Sequence, residues 1–136
     1  MKSSALVVGA WAPSHRRPNA SERRLIALLR EMGLPVVPQA TNGRWTLDAY
    51  LPKPISAAVE VDGPAYHTNP EDSARDRRRE ADLRKEGLIV IRAWSPDLYT
   101  PEGRSKIRKH IITRVFRDRG IQLKTKGARK IINRLR

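Results

Sequence analysis

The sequence contains no cysteine, so disulfides, thiolate zinc sites and cysteine nucleophiles are all excluded, and a reducing cytoplasm is a compatible setting. No stretch approaches the ~20 apolar residues that a membrane-spanning helix needs, so no membrane partner is expected. The opening segment, with Lys2 ahead of Leu6-Val7-Val8 and Ala10-Trp11-Ala12, imitates a secretory signal. Its charged region is thin and its apolar run short, so export is not expected and a cytoplasmic location is. Internal repeats and low-complexity segments are missing as well. Acidic residues are scarce: 14 Asp and Glu stand against 28 Lys and Arg, for a formal charge of +14 and a pI near 11.2. That imbalance opposes compaction unless a polyanion is nearby, which makes nucleic acid the natural partner.

What is present is one domain's worth of chain, 136 residues, enough to bury a single core. The positive charge is uneven. Residues 101–136 carry 13 Lys and Arg against 2 acids (+11), whereas residues 1–100 carry 15 against 12 (+3). Residues 1–18 read as an arm or a short strand at Ala5 to Ala10, followed by a Pro-flanked basic link, Pro13-Ser-His-Arg-Arg-Pro18, to which no function attaches. A helix is expected from an N-cap at Asn19 or Ser21 to Met32, stopping at Gly33, with Leu25, Ile26, Leu28, Leu29 and Met32 as its apolar stripe. Strands are expected at Trp45–Leu51 and Ala57–Asp62, joined by Pro52-Lys-Pro-Ile-Ser56, and again at Leu88–Trp94, whose continuous apolar run suits a strand covered on both faces. Asn69-Pro70 opens another helix, ended by Gly87. Thr100-Pro101 opens a third, which buries Ile107, Ile111, Val115 and Phe116; Gly120 and Gly127 then bracket a link to a last helix holding Ile131, Ile132 and Leu135.

The acidic residues of the two central strands form the candidate site. Alternate residues of a strand share a face, so Glu60 and Asp62 point together, as do Thr46, Asp48 and Tyr50. If the hairpin is symmetric about Pro54, Asp48 lies opposite Glu60 with Cβ atoms roughly 5 Å apart. Two like charges so placed call for a shared proton or a bound cation. Glu22 lies three and four residues before Leu25 and Ile26, which at ~100° per residue aligns it with the apolar stripe. The competing readings are plainer: Asp48 and Glu60 as rim residues paired with some of the 28 cations, and Glu22 as a first-turn acid favoured by the helix dipole.

The order of these residues narrows the choice. Leu47-Asp48-Ala-Tyr50-Leu-Pro, then Val59-Glu60-Val61-Asp62-Gly63, then His67, resembles the metal-binding core of the PD-(D/E)XK nuclease superfamily in its very-short-patch-repair-like branch. Asp76, Arg79-Glu80, Leu83 and Gly87 match that branch's next helix, Val90-Ile91-Arg92 its next strand, and Ser21-Glu22-Arg23-Arg24-Leu25 its opening helix, so the likeness spans residues 20–98. Two departures stand out. Asp62 replaces the lysine that many members place two residues after the Glu, and the Cys and His zinc site of some repair members is missing, so no zinc is expected.

The resemblance implies an α/β, restriction-endonuclease-like core over residues 19–99, a central mixed sheet flanked by helices, with a basic helical extension over 100–136 packed on it. It also implies a metal-dependent DNA endonuclease. Mg²⁺, with Mn²⁺ able to substitute, would be held by Asp48, Glu60 and the Val61 carbonyl, while Asp62 and Glu22 orient water or assist a second ion. His67 is the proton-transfer candidate, an imidazole titrating near neutrality; the plain alternative is a loop histidine. Asp76 and Arg79 would support the site, or else form a solvated i, i+3 ion pair. With the apolar residues of the basic helices inward, Arg104, Arg108, Lys109, Arg114 and Arg117 face outward as a phosphate clamp, extended by Arg129 and Lys130; a merely solvated charged face is the alternative. A homodimer or a larger protein–DNA assembly would suit such an enzyme. Two other functions compete: a non-catalytic DNA-binding or recombination accessory on the same scaffold, and an RNA-directed nuclease or toxin.

Overall fold

Asn19 begins the first helix because its side chain accepts a hydrogen bond from the Glu22 amide while the Glu22 carboxylate accepts one from the Asn19 amide, a reciprocal cap that satisfies two otherwise orphaned donors. The computed structural model describes residues 10–64 and 70–136. In it α1 spans Ala20–Glu31, and Gly33, at φ 77°, supplies the left-handed residue that ends it. Leu25, Ile26, Leu28 and Leu29 are buried, as is Met32 at its C-cap.

Ahead of α1, a two-residue strand β1 (Ala12–Pro13) pairs antiparallel with β3 (Ala40–Thr41). The strand anticipated at Ala5 to Ala10 lies, except for its last residue, outside the described residues. The main sheet has four strands in the order β2 (Val37–Pro38), β4 (Ala49–Leu51), β5 (Ala57–Asp62) and β6 (Ile89–Trp94). Its first two pairings are antiparallel and the β5–β6 pairing is parallel. The sheet is therefore mixed, with helices on both faces, as in restriction-endonuclease-like nucleases. The β4–β5 register, Ala49↔Val59 and Leu51↔Ala57, is the one that symmetry about Pro54 requires. β4 is shorter than the expected Trp45–Leu51. Gln39 adopts φ 49° and splits the facing chain into β2 and β3, so Leu47 and Asp48 bond instead to Ala40 and Gln39.

Strand alternation divides the core. Val59, Val61, Ile91 and Ala93 face α1 and the C-terminal helices α3 (Pro101–Arg119) and α4 (Ala128–Leu135), where Leu25, Ile107, Ile111 and Ile132 complete the larger cluster. Each such side chain removed from water contributes roughly 1.5–3 kcal/mol. Ala58 and Val90 face the other way, toward Leu83 of α2 (Pro70–Lys85). Leu83 is the one buried residue of α2, so this helix presents mostly charge. A 3-10 helix (Ser95–Tyr99) leads to Thr100, whose hydroxyl caps α3 by accepting from the Gly103 amide at 2.9 Å. Phe116, expected in the core, is only partly buried and packs at its edge. No helix among the described residues is long and apolar enough to cross a membrane.

Candidate active site

Asp48 stands one step beyond the Ala49↔Val59 pair, opposite Glu60. The two are laced together through main-chain amides. The Asp48 amide donates to Glu60 Oε2 at 2.9 Å, and the Val61 amide donates to Asp48 Oδ2 at 2.8 Å. Glu22 enters from the first turn of α1, almost fully buried, with its carboxyl close enough to Asp48 to push that group's pKa up. It is thus both a helix-capping acid and a member of the acid cluster.

The cluster carries more negative charge than its surroundings readily accommodate. Burial, the Glu60 charge and the neighbouring Glu22 carboxyl push the Asp48 carboxyl up from 3.8 to about 8, against the opposing Val61 amide. Burial raises Glu60 as well, opposed chiefly by the Arg79 guanidinium. Arg79, on α2, forms an ion pair with Glu60 Oε1 and donates to the Thr46 carbonyl at 2.8 Å. Arg16 reaches in from the basic link, 2.9 Å from Glu22 Oε2 and 3.6 Å from Asp48 Oδ1.

These groups line an open cavity of about 480 Å³. Val61 and Asp62 are part of its wall, and Asp62 also accepts from the Gly63 amide at 3.1 Å. Asp76 and Arg79 do not pair with each other. Asp76 pairs with Arg92 of β6 at 3.0 Å, and Arg92 also reaches Glu80 at 3.2 Å, because Arg92 sits in register with Glu60 on the α2 side of the sheet. His67 lies outside the described residues.

The expected clamp residues are elsewhere. Arg104, Arg108, Lys109, Arg114, Arg117, Arg129 and Lys130 are absent from the cavity wall, because α3 and α4 bury their apolar stripes on the sheet face opposite to Glu60. Arg114 is tied to Asp118 at 3.0 Å and to the Val90 carbonyl at 3.3 Å, and Arg104 leans on the Leu98 carbonyl at 3.5 Å. The cations at the cavity are instead Arg16, Arg44, Arg75, Arg79 and Arg92. Trp45 stands among them, with the Arg44 and Arg75 guanidinium groups 5.2 and 5.9 Å from its ring centre and its indole N–H donated to Asp82. Arg92 carried a readable signal, being the lone charge in an apolar strand. Arg16 carried none, since only the β1–β3 pairing brings its link to the acids.

A restriction-endonuclease-like family model, REase_MTES_1575, matches residues 22–115, a span that contains Glu22 and the whole β4–β6 sheet. The chain belongs to this family. Among solved structures, the catalytic domain of the homing endonuclease I-Bth0305I is similar, with 24% identity and a TM-score of 0.54, covering 71% of this chain and 97% of that one. At that identity the likeness speaks for the fold. No curated protein matches. As a REase_MTES_1575 member the chain is a PD-(D/E)XK-like nuclease of the DNA endonuclease class.

At this cluster, the donor set suits a hard divalent cation. Among the described residues no three His, Cys, Asp or Glu side chains are spaced to enclose an ion. Mg²⁺, however, is commonly held by one or two carboxylates and keeps several waters. The Glu60 carboxyl, raised by burial, and the upward-shifted Asp48 are the two groups that a cation would relieve.

Proposed function

We propose that this protein is a divalent-metal-dependent endodeoxyribonuclease of the very-short-patch-repair-like branch, hydrolysing phosphodiester bonds at the Asp48–Glu60 cavity. The observation that carries the reading is the cross-strand lacing of Asp48 and Glu60 in a family nuclease fold. Asp48, Glu60 and the Val61 carbonyl would hold Mg²⁺ or Mn²⁺. When bound, such an ion supplies charge stabilisation for the phosphate and lowers the pKa of its water.

The chain's own residues do the rest. Glu22 and Asp62 position water at the cluster's edge. Arg79, fixed between Glu60 and the Thr46 carbonyl, orients Glu60 and opposes the upward push of burial on its carboxyl, while Arg92 joins Asp76 and Glu80 into a brace beneath it. On its motif alone, His67 is assigned proton transfer. Arg44, Arg75 and Trp45 form the side of the cavity that meets the DNA backbone, a role that guanidinium forks suit.

The deciding experiment is a cleavage panel over linear, mismatched, flapped and four-way DNA, with labelled RNA alongside, using the Asp48→Ala protein as control. Mg²⁺- or Mn²⁺-dependent cuts that vanish in the control while binding persists support the proposal. DNA binding without nicking in any metal would leave a non-catalytic accessory, and preferential RNA cleavage would leave an RNA-directed enzyme.

A further inference from the structure

Arg16 and Arg79 both face the acid cluster, but they are built differently. The Arg79 side chain is 17% exposed and is held by a main-chain carbonyl as well as by Glu60. The Arg16 side chain is 48% exposed, and among the described residues its guanidinium pairs with two carboxylates, Glu22 at 2.9 Å and Asp48 at 3.6 Å. Its backbone is nevertheless fixed. Ala12–Pro13 pairs with β3, the Ser14 amide donates to the Gln39 carbonyl at 3.1 Å, and the Arg16 amide donates to the Ser14 hydroxyl at 3.3 Å. Arg16 also stands between two cavities, the acidic one and a neighbour of about 620 Å³ walled by Pro13, Ser14, Pro18 and Arg23. The side chain has somewhere to go without any movement of the main chain.

A guanidinium seated on Asp48 and Glu22 occupies the charge position that a divalent cation would take. A half-exposed ion pair is weak, so it can be exchanged, and a phosphate offers the same planar, bidentate match as a carboxylate. Resting on the metal-site reading above, we infer that Arg16 is a displaceable internal counter-ion. It occupies Asp48 and Glu22 until a DNA phosphate takes its guanidinium, so that ion and DNA bind cooperatively. Arg16 is then a positioning residue that couples two binding events, and the coupling is reciprocal.

The test is Mn²⁺ titration of the intact protein by calorimetry, without DNA, for wild type, Arg16→Gln, Arg16→Lys and Asp48→Asn, beside the Mn²⁺ concentration giving half-maximal DNA cleavage where a variant cleaves. Removing the resident cation should tighten DNA-free Mn²⁺ binding by about three- to tenfold in Arg16→Gln, given the modest strength of such pairs. It should also narrow the gap between the two Mn²⁺ midpoints. Arg16→Lys, which keeps charge but loses the fork, should fall between and shows whether any change in Arg16→Gln reflects misfolding. Unchanged or weaker Mn²⁺ binding in a folded Arg16→Gln protein overturns the inference. Undiminished Mn²⁺ binding in Asp48→Asn overturns the underlying metal site instead, so the two failures are told apart.

Discussion

Asp48→Asn should stabilise the metal-free protein while abolishing cleavage. The Asp48 carboxyl is raised from 3.8 to about 8. Between those values the folded chain holds a proton that the unfolded chain has released, so wild-type stability falls as pH rises from about 4 to 8 and levels off outside that window. At ~1.4 kcal/mol per pKa unit, the full penalty at pH 8 is at most roughly 5 kcal/mol. Asparagine never ionises, and its side-chain oxygen can still accept from the Val61 amide in place of Asp48 Oδ2. The Arg16 contact at 3.6 Å is lost, a half-exposed pair of small value. A net gain of roughly 2–5 kcal/mol at pH 8 corresponds to a Tm rise of about 6–15 °C for a chain of this size, shrinking toward zero near pH 4. Thermal melts in chelator at pH 4.5, 6 and 8 read this directly. Mg²⁺ should raise the wild-type Tm and leave the variant's unchanged. A Tm difference that does not vary with pH, or a variant less stable than wild type at pH 8, would refute the electrostatic reasoning.

Arg119 donates to the carbonyls of Ile55, Ser56 and Gly87 at 2.7, 3.0 and 2.5 Å, closing the sheet end away from the acids. Arg119→Ala should therefore cost about 2–4 kcal/mol in denaturant unfolding, with Mn²⁺ affinity unmoved. A Cβ on Gly103 would collide with the Asp97 backbone, so Gly103→Ala should lower stability by about 3 kcal/mol through displacement of the 3-10 helix from α3; a neutral outcome in the same assay would contradict that packing. The Arg44→Ala, Arg75→Ala double variant should weaken DNA binding and reduce its salt slope by roughly 0.9 per lost phosphate contact. Arg108→Ala with Lys109→Ala should change cleavage less, and the opposite ranking would return the clamp to α3.

The fold and the acid pair were legible because they depend on local rules. Asn19 with Glu22, Gly33, Thr100-Pro101 and Gly120 mark helix ends through caps that act within a few residues. The Asp48–Glu60 juxtaposition follows from a hairpin register symmetric about Pro54. The cationic side of the site was only partly legible: Arg79 stood in the motif and Arg92 was the lone charge of its strand, but placement depends on three long-range pairings. Arg16 arrives through β1–β3, Arg79 through the seating of α2 over Ala58 and Val90, and Arg92 through the parallel register with β5. Net charge bears on the clamp expectation. The +11 of residues 101–136 pointed to α3 and α4 as the clamp, but their apolar stripes, Ile107, Ile111 and Ile132, had to cover the larger core cluster. That requirement sends the charges to the back of the sheet. Charge density locates the polyelectrolyte character, whereas packing decides which face of the sheet carries it.

The replacement of lysine by Asp62 two residues after Glu60 follows from the same geometry. In place of one cation on β5, positive charge arrives in tiers: Arg79 almost enclosed against Glu60, Arg92 partly exposed behind it, and Arg16 half in solvent at Asp48 and Glu22. A buried pair is costly to break, because the partner left behind is desolvated and uncompensated, so the Arg79 tier stays with Glu60. An exposed pair is cheap to break, so the Arg16 tier can leave. A single lysine would have to do both jobs at one depth; on the displacement proposed for Arg16, dividing them would keep the cluster neutralised before substrate arrives without blocking it afterwards.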